Sequence, residues 1–171
     1  MHSKFWRPLV CLSLTAVLLV LLTVTACVRG GSQVYGWHAL ETGMELSSEE
    51  GAGPQGQRVL GLLYTIVAGQ DYAIERRMPV EGLQGQPSLR LMAKATRVLH
   101  LAVVLVDDKG REHECARTLL PGDWRELNYN AFQLPVHDWA QIVSIRFVDR
   151  TGGLGGQGPV SLKLVGLPLQ E

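Results

Sequence analysis

Cys115 and His113 stand two residues apart, the spacing that puts two side chains on one face of a strand. A thiol beside an imidazole is the pairing a nucleophilic cysteine needs. One neighbour is thin support for activation, and Cys115 reads more simply as a small buried hydrophobe. Gly152-Gly153-Leu154-Gly155-Gly156 is glycine-rich enough to suggest phosphate binding. It lacks the Lys-Ser/Thr of a P-loop and opens no helix, so it reads as a flexible connection. Glu41, Glu45, Glu49 and Glu50 cluster near the N-terminus without an opposing carboxylate group, and His38, His100, His113 and His137 lack zinc-ligand spacing. We therefore expect no catalytic residues, no metal and no enzyme activity.

The elements that would carry these residues are strands. Ser88 to Thr96 alternates, with Leu89, Leu91, Ala93 and Ala95 on one side and Arg90, Met92, Lys94 and Thr96 on the other. Arg58 to Ala68 and Asp71 to Arg77 are earlier runs, separated from the N-terminal part by a polar loop at 47–57. Val98 to Val106 is apolar on both faces apart from His100. Asp107-Asp108-Lys109-Gly110 supplies turn chemistry, and Arg111 to Leu119 returns as a more polar strand. Pro121-Gly122-Asp123 turns into Trp124 to Tyr129. Residues 131–140 read as irregular, with one helical turn around His137 to Ala140. Gln141 to Asp149 alternates with Val143, Ile145 and Phe147 inward. Pro159 to Leu167 closes the domain after the glycine-rich loop. About eight short strands and no amphipathic helix predict an all-β antiparallel sandwich or jelly roll.

The alternation also gathers cations. With Leu89 and Leu91 inward, the opposite face is expected to carry Arg90, Lys94, His100, Arg117 and Arg146. Such a groove would suit an acidic glycan or another anionic ligand; the plainer reading is a solvated face whose charges pair with Glu112, Glu114 and Asp149. The chain has 16 Lys+Arg against 16 Asp+Glu. With Lys4 and Arg7 set aside in the leader, the remainder carries 14 against 16, which gives no reason to invoke nucleic acid.

Residues 1–26 differ from all of this. Lys4 and Arg7 are followed by an uncharged run from Pro8 to Ala26, rich in Leu and Val, as in a secretory signal. Its length is also close to the ~20 residues that span a bilayer, so an uncleaved transmembrane anchor is the rival reading. Where the run stops, Val24-Thr25-Ala26-Cys27 resembles the bacterial lipobox. That resemblance implies a lipoprotein: residues 1–26 as the signal peptide, Cys27 as the lipidated residue, 27–34 as a tether and 35–171 as the folded domain. Acyl chains contribute roughly 0.8 kcal/mol per buried methylene, enough in pairs or threes for stable attachment. The domain would then lie outside the cytoplasm on the cell membrane or outer membrane, and Val28, which is not an Asp, leans toward the outer membrane. Cys11 would leave with the leader and Cys27 would be acylated. Cys115 would remain alone, with no intramolecular disulfide.

Leu89-x-Leu91 through Gly110, then Leu120-Pro121-Gly122-Asp123-Trp124, resembles the galactose-binding-like jelly rolls, a superfamily that includes carbohydrate-binding modules and the complex I intermediate-associated domain. The match runs over roughly residues 58–167. It implies a non-catalytic binding module for carbohydrate or a cell-envelope polymer, on a concave sheet face or at loop tips, with sugar rings stacked on aromatics. Of the nine aromatics after Cys27, Trp124 and Phe147 fall at core positions. Tyr72, Tyr129 and Trp139 are the candidates for exposed stacking. No dense aromatic platform emerges. Jelly rolls of this group often hold a structural Ca²⁺, for which Asp107, Asp108 and Asp123 are available, although these sit comfortably as turn formers. The competing expectation is a structural or assembly lipoprotein that contacts a protein partner.

Overall fold

The computed structural model describes residues 33–78, 88–130 and 139–166, giving only the backbone of Asn130 and Trp139. The expected leader, Cys27 and most of the tether lie outside these residues. So do the irregular segment up to residue 138 and the end of the last strand.

Among the described residues, eleven strands form two antiparallel sheets. They are β1 (Gln33–Val34), β2 (Trp37–Ala39), β3 (Glu45–Glu49), β4 (Val59–Ile66), β5 (Tyr72–Arg77), β6 (Ser88–Ala95), β7 (Leu99–Asp107), β8 (Glu112–Leu119), β9 (Arg125–Asn130), β10 (Ile142–Asp149) and β11 (Gly158–Val165). A 3₁₀ turn, Trp139–Gln141, precedes β10. Sheet A has the order β1-β2-β5-β10-β7-β8 and sheet B the order β3-β4-β11-β6-β9. This is the all-β sandwich of jelly-roll type that the alternation predicts.

The inner faces close on each other because the apolar side chains repeat every second residue. Leu89, Leu91, Ala93 and Ala95 of β6 meet Leu99, Leu101, Val103 and Leu105 of β7, with Leu60, Leu62, Phe147, Leu162 and Leu164 in the same buried cluster. Each large side chain buried this way stabilises the fold by roughly 1.5–3 kcal/mol before chain entropy is subtracted.

Three expectations are corrected. The polar text at 47–57 is not all loop: Ser47, Ser48 and Glu49 belong to β3, an edge strand that lies on β4 with Leu46 inward. Gln33 and Val34, at the end of the expected tether, form β1. Val143 does not face inward. A β-bulge between Ile142 and Ser144 shifts the parity of β10, so Ile142 and Ile145 take the buried positions while Val143 is exposed.

The glycine-rich loop after β10 is packed, which the flexible reading did not anticipate. Gly152 is buried, and a Cβ added there would sit 1.9 Å from the Gln70 carbonyl oxygen and 2.7 Å from that of Val67. Only a residue without a side chain lets the β4–β5 and β10–β11 loops touch backbone to backbone, where the Gly69 N–H donates to the Gly152 carbonyl at 2.7 Å.

Candidate functional site

The five expected cations do not share a face. Arg90 and Lys94 project from β6 on the outside of sheet B. His100 and Arg146 project from the outside of sheet A. Arg117 pairs with Leu101 and so lies on the inner side of β8, half-buried at the sandwich edge. The expectation failed because inward Leu89 and inward Leu101 belong to opposite sheets, so their outward neighbours point in opposite directions.

The stacking aromatics fare no better. Tyr72 is buried and stacked on Tyr64 with centroids 5.0 Å apart. Tyr129 shares the parity of Leu127 and is fully buried, with its hydroxyl lacking a hydrogen-bond partner. Burial holds that phenol well above its ordinary range, with the Cys115 thiol adding to the effect. Trp139 opens the 3₁₀ turn, and its side chain lies outside the described residues. Trp37, buried, packs on Phe147 at 5.4 Å, while Trp124 is only half-buried. Tyr35 lies beneath the Arg58 guanidinium, 4.8 Å from its ring centroid. Among the described residues, neither outer sheet face carries an aromatic ring.

The outer face of sheet A does carry a built arrangement. Ala73, Ala102, Val104, Val106 and Val148 point outward yet are buried. Arg146 on β10 donates from Nε to Glu75 Oε1 on β5 at 2.9 Å and from Nη1 to Glu112 Oε1 on β8 at 2.6 Å. Because β7 lies between β10 and β8, the guanidinium passes over the Val104–Val106 stripe. Arg150 does the same one step along, donating to Asp71 Oδ2 at 2.6 Å and Glu114 Oε2 at 2.7 Å. Ser144 adds a hydroxyl bond to Glu75 at 2.9 Å. Two arginine side chains thus roof an apolar stripe with their stems and hold acids on both sides with their heads.

The electrostatics follow. Burial disfavours the charge on Glu75, but the hydrogen bonds from Arg146 and Ser144 outweigh it and lower its pKa. Arg146 is held more firmly protonated, first by its bond to Glu75, and Arg150 first by its bond to Glu114. Both guanidiniums are therefore already neutralised by carboxylates, so this face is a ladder of charge-paired groups and not a cationic groove. The carboxylates Glu112 and Glu114 were foreseen as counter-charges. Asp149 was not correctly foreseen, since it points inward and accepts from Tyr64. Arg150, Glu75 and Asp71 were missed; inward Tyr72 and Ile74 put Glu75 outward, a signal the alternation of β5 does contain.

The remaining candidates resolve into structural roles. Half-buried Cys115 packs against the core cluster. His113 approaches the Asp107 carboxyl at 3.6 Å. Asp107 accepts from the backbone N–H groups of Lys109 and Arg111 and from Arg111 Nε at 2.7 Å, closing the β7–β8 turn. Asp107 and Asp108 lie at this turn, whereas Asp123 is in the β8–β9 loop at the opposite end, so the three do not converge. Among the described residues no three His, Cys, Asp or Glu side chains gather as a metal site would need. Glu41 accepts from the Ala73 N–H, Glu49 holds Lys163 at 2.5 Å and Glu50 holds Arg58 at 2.6 Å, which disperses the N-terminal acids.

No protein-family model matches the sequence, and neither does any curated protein. Solved structures do resemble the fold. The family 11 carbohydrate-binding module of a cellulosomal cellulase from Clostridium thermocellum superposes with a TM-score of 0.54 at 14% identity, over 78% of this chain and 89% of that one. The same module has been solved with a β-1,3-1,4-mixed-linked tetrasaccharide. An exo-β-agarase matches with a TM-score of 0.58 at 11% identity, over 79% of this chain but only 23% of the agarase. A carbohydrate-binding module of the β-sandwich superfamily, from work on promiscuous specificity, gives 0.52 at 9% identity over 84% of this chain and 64% of that one. At such identities the likeness defines the fold: this chain is a β-sandwich of the kind these carbohydrate-binding modules have.

Proposed function

We propose that the protein is a lipoprotein, acylated at Cys27, that holds a non-catalytic binding module outside the cytoplasm, with carbohydrate or a cell-envelope polymer as its ligand. The observation that carries the binding reading is the outer face of sheet A. It carries a ladder of paired Arg146, Arg150, Glu75 and Glu112, whose guanidinium and carboxylate groups have hydrogen-bonding sites left over for a hydroxyl-rich polymer. The likeness to carbohydrate-binding modules supports the same reading, and so does the assignment of Glu41, Glu49 and Glu50 to structural partners. Recognition would rest on hydrogen bonds, since the described residues place no ring on either face.

That lack of an outward ring favours a second reading, a structural lipoprotein that meets a protein partner through the same face. Affinity electrophoresis of the protein through gels loaded with individual polysaccharides tests the first. Retardation by one polysaccharide, lost in Ala116→Arg, which blocks the exposed edge of the sheet A face, supports it. Unretarded migration in every gel, together with co-purification of one envelope protein, replaces it with the second. The anchor is tested by labelling cells with a fatty-acid analogue: label in the wild type and none in Cys27→Ser is the expected result, and equal labelling refutes it.

A further inference from the structure

Five loops cross between the sheets at one end of the sandwich, spanning residues 40–44, 67–71, 96–98, 120–124 and 150–157. Each holds one large apolar side chain out into solvent. Leu40, Val67, Val98, Leu120 and Leu154 are 49, 53, 43, 47 and 68% exposed. They are five of the seven exposed large apolar residues among those described; Leu63 and Val143 lie elsewhere. The loops are tied to the body and to one another. The Leu40 N–H donates to the Ala73 carbonyl at 2.9 Å, Gly69 to Gly152 at 2.7 Å and Gly122 to Ala95 at 3.2 Å. A soluble protein scatters such side chains singly, whereas five gathered on the loops of one end mark a contact surface.

The charge at this end fits an apolar neighbour. The five loops contain Glu41, Asp71, Arg97, Asp123 and Arg150, and no lysine. Asp71 and Arg150 pair with each other, while Glu41 accepts from the Ala73 N–H and Arg97 donates to the Gln157 carbonyl, so four of these five charged side chains are engaged with the protein itself. Half-buried Trp124 lies in the same set, a ring suited to the boundary between water and hydrocarbon. The β7–β8 turn at the other end carries Asp108, Lys109 and Arg111.

The course of β1 shows at which end the chain from Cys27 enters the sandwich. Gln33 pairs with His38 and Val34 with Trp37, so β1 begins at the Leu40 end and runs away from it. Five residues lie between Cys27 and Gln33, and these six steps reach at most about 20 Å when fully extended.

We propose that this loop end docks on the lipid leaflet, with Leu40, Val67, Val98, Leu120 and Leu154 dipping into the boundary between headgroups and acyl chains. The proposal rests on the reading of Cys27 as the acylated residue, because that tether is what brings this end to the surface. Docking fixes the orientation of the module, pointing the β7–β8 turn away from the membrane and standing the outer face of sheet A upright.

A nitroxide placed at Leu154→Cys or at Lys109→Cys, in the full chain carrying Cys11→Ser and Cys115→Ser and recovered in membranes, tests this. The ratio of collision with oxygen to collision with a water-soluble nickel chelate is expected to be several-fold higher at 154 than at 109. Equal, water-like ratios in membrane-bound protein overturn docking while leaving the anchor intact. Shielding at 154 from both probes overturns it in favour of a protein partner. Recovery of the chain in the soluble fraction overturns the anchor and docking together.

Discussion

The Tyr64 hydroxyl donates to Asp149 Oδ2 at 2.9 Å, a buried bond that joins β4 of sheet B to β10 of sheet A near the end where both strands stop. The other carboxyl oxygen accepts from the Thr151 N–H at 2.9 Å and from the Thr151 hydroxyl. That hydroxyl oxygen in turn accepts from the His100 N–H at 2.9 Å. Burial, with the adjacent Asp149, drives the Tyr64 pKa far upward, which keeps the phenol a donor. Tyr64→Phe leaves Oδ2 buried with no partner, so it should cost about 1–3 kcal/mol of unfolding free energy. Chemical denaturation with an unchanged m-value would show this as a lower midpoint. A midpoint equal to the wild type would mean that water replaces the phenol at Asp149.

Asp107 makes stability depend on acid in a defined direction. Burial opposes its charge, but the Arg111 N–H, the Arg111 side chain and the Lys109 N–H prevail and bring its pKa from 3.8 to about 2. A carboxyl whose folded pKa lies below its unfolded one binds fewer protons when folded, so it adds stability above the unfolded value. That contribution is lost as pH falls through the window between these two values. The wild type should exceed Asp107→Asn in stability at neutral pH, and the gap should narrow as pH drops from 3.8 toward 2. A gap constant over that range would assign the role of Asp107 to shape and not to charge.

The strands from β4 onward were legible because each buries alternate residues on one core. Ser88 to Thr96 was foreseen to within a residue of β6, and apolar Val98 to Val106 is β7, buried on both faces. Sheet membership was not legible. Alternation tells which residues of one strand share a side, but only pairing tells which strands share a sheet, and Arg90 and His100 were separated on that point. The bulge at Val143 is equally silent, since alternation carried back from inward Phe147 and Ile145 puts Val143 inward as well. β1 to β3 escaped notice because they are two to five residues long and bury few apolar groups. Tyr72 and Tyr129 were misplaced for a chemical reason: a phenol suits both a core and a wet face, and their parity with Ile74 and Leu127 was the better guide.

Gly152 should be the least replaceable glycine of its loop. A methyl group there meets the Gln70 and Val67 carbonyl oxygens, which are backbone and cannot swing aside. Overpacking usually costs about 1–3 kcal/mol and more where relaxation is blocked, so Gly152→Ala should lose more than ~3 kcal/mol. Gly43 provides the contrast, because its Cβ position is empty and only its φ of +83° resists a side chain. Gly43→Ala should cost about 1–2 kcal/mol. Thermal unfolding of the two variants side by side reads the difference, and equal losses would mean that the β4–β5 and β10–β11 loops separate without cost.

The two ends of Arg146 should not contribute equally. Toward β5 it meets Glu75, whose side chain is 25% exposed and also held by Ser144. Toward β8 it meets Glu112, which is 55% exposed and sits on an edge strand. Exposed pairs are screened and cost side-chain order, so double-mutant cycles usually give them about 0.2–1 kcal/mol. Coupling between Arg146 and Glu112 should fall at the lower end of that range and fade with added salt. Coupling between Arg146 and Glu75 should be larger and less sensitive to salt, because fewer ions reach it. Arg146→Ala should also exceed the sum of both couplings, since it strips the cover from Val104 and Val106, whereas Arg146→Met keeps most of that cover and should recover part of the loss. If Met and Ala prove equally damaging, the guanidinium matters for its charge alone and the apolar stripe of sheet A is covered by something else.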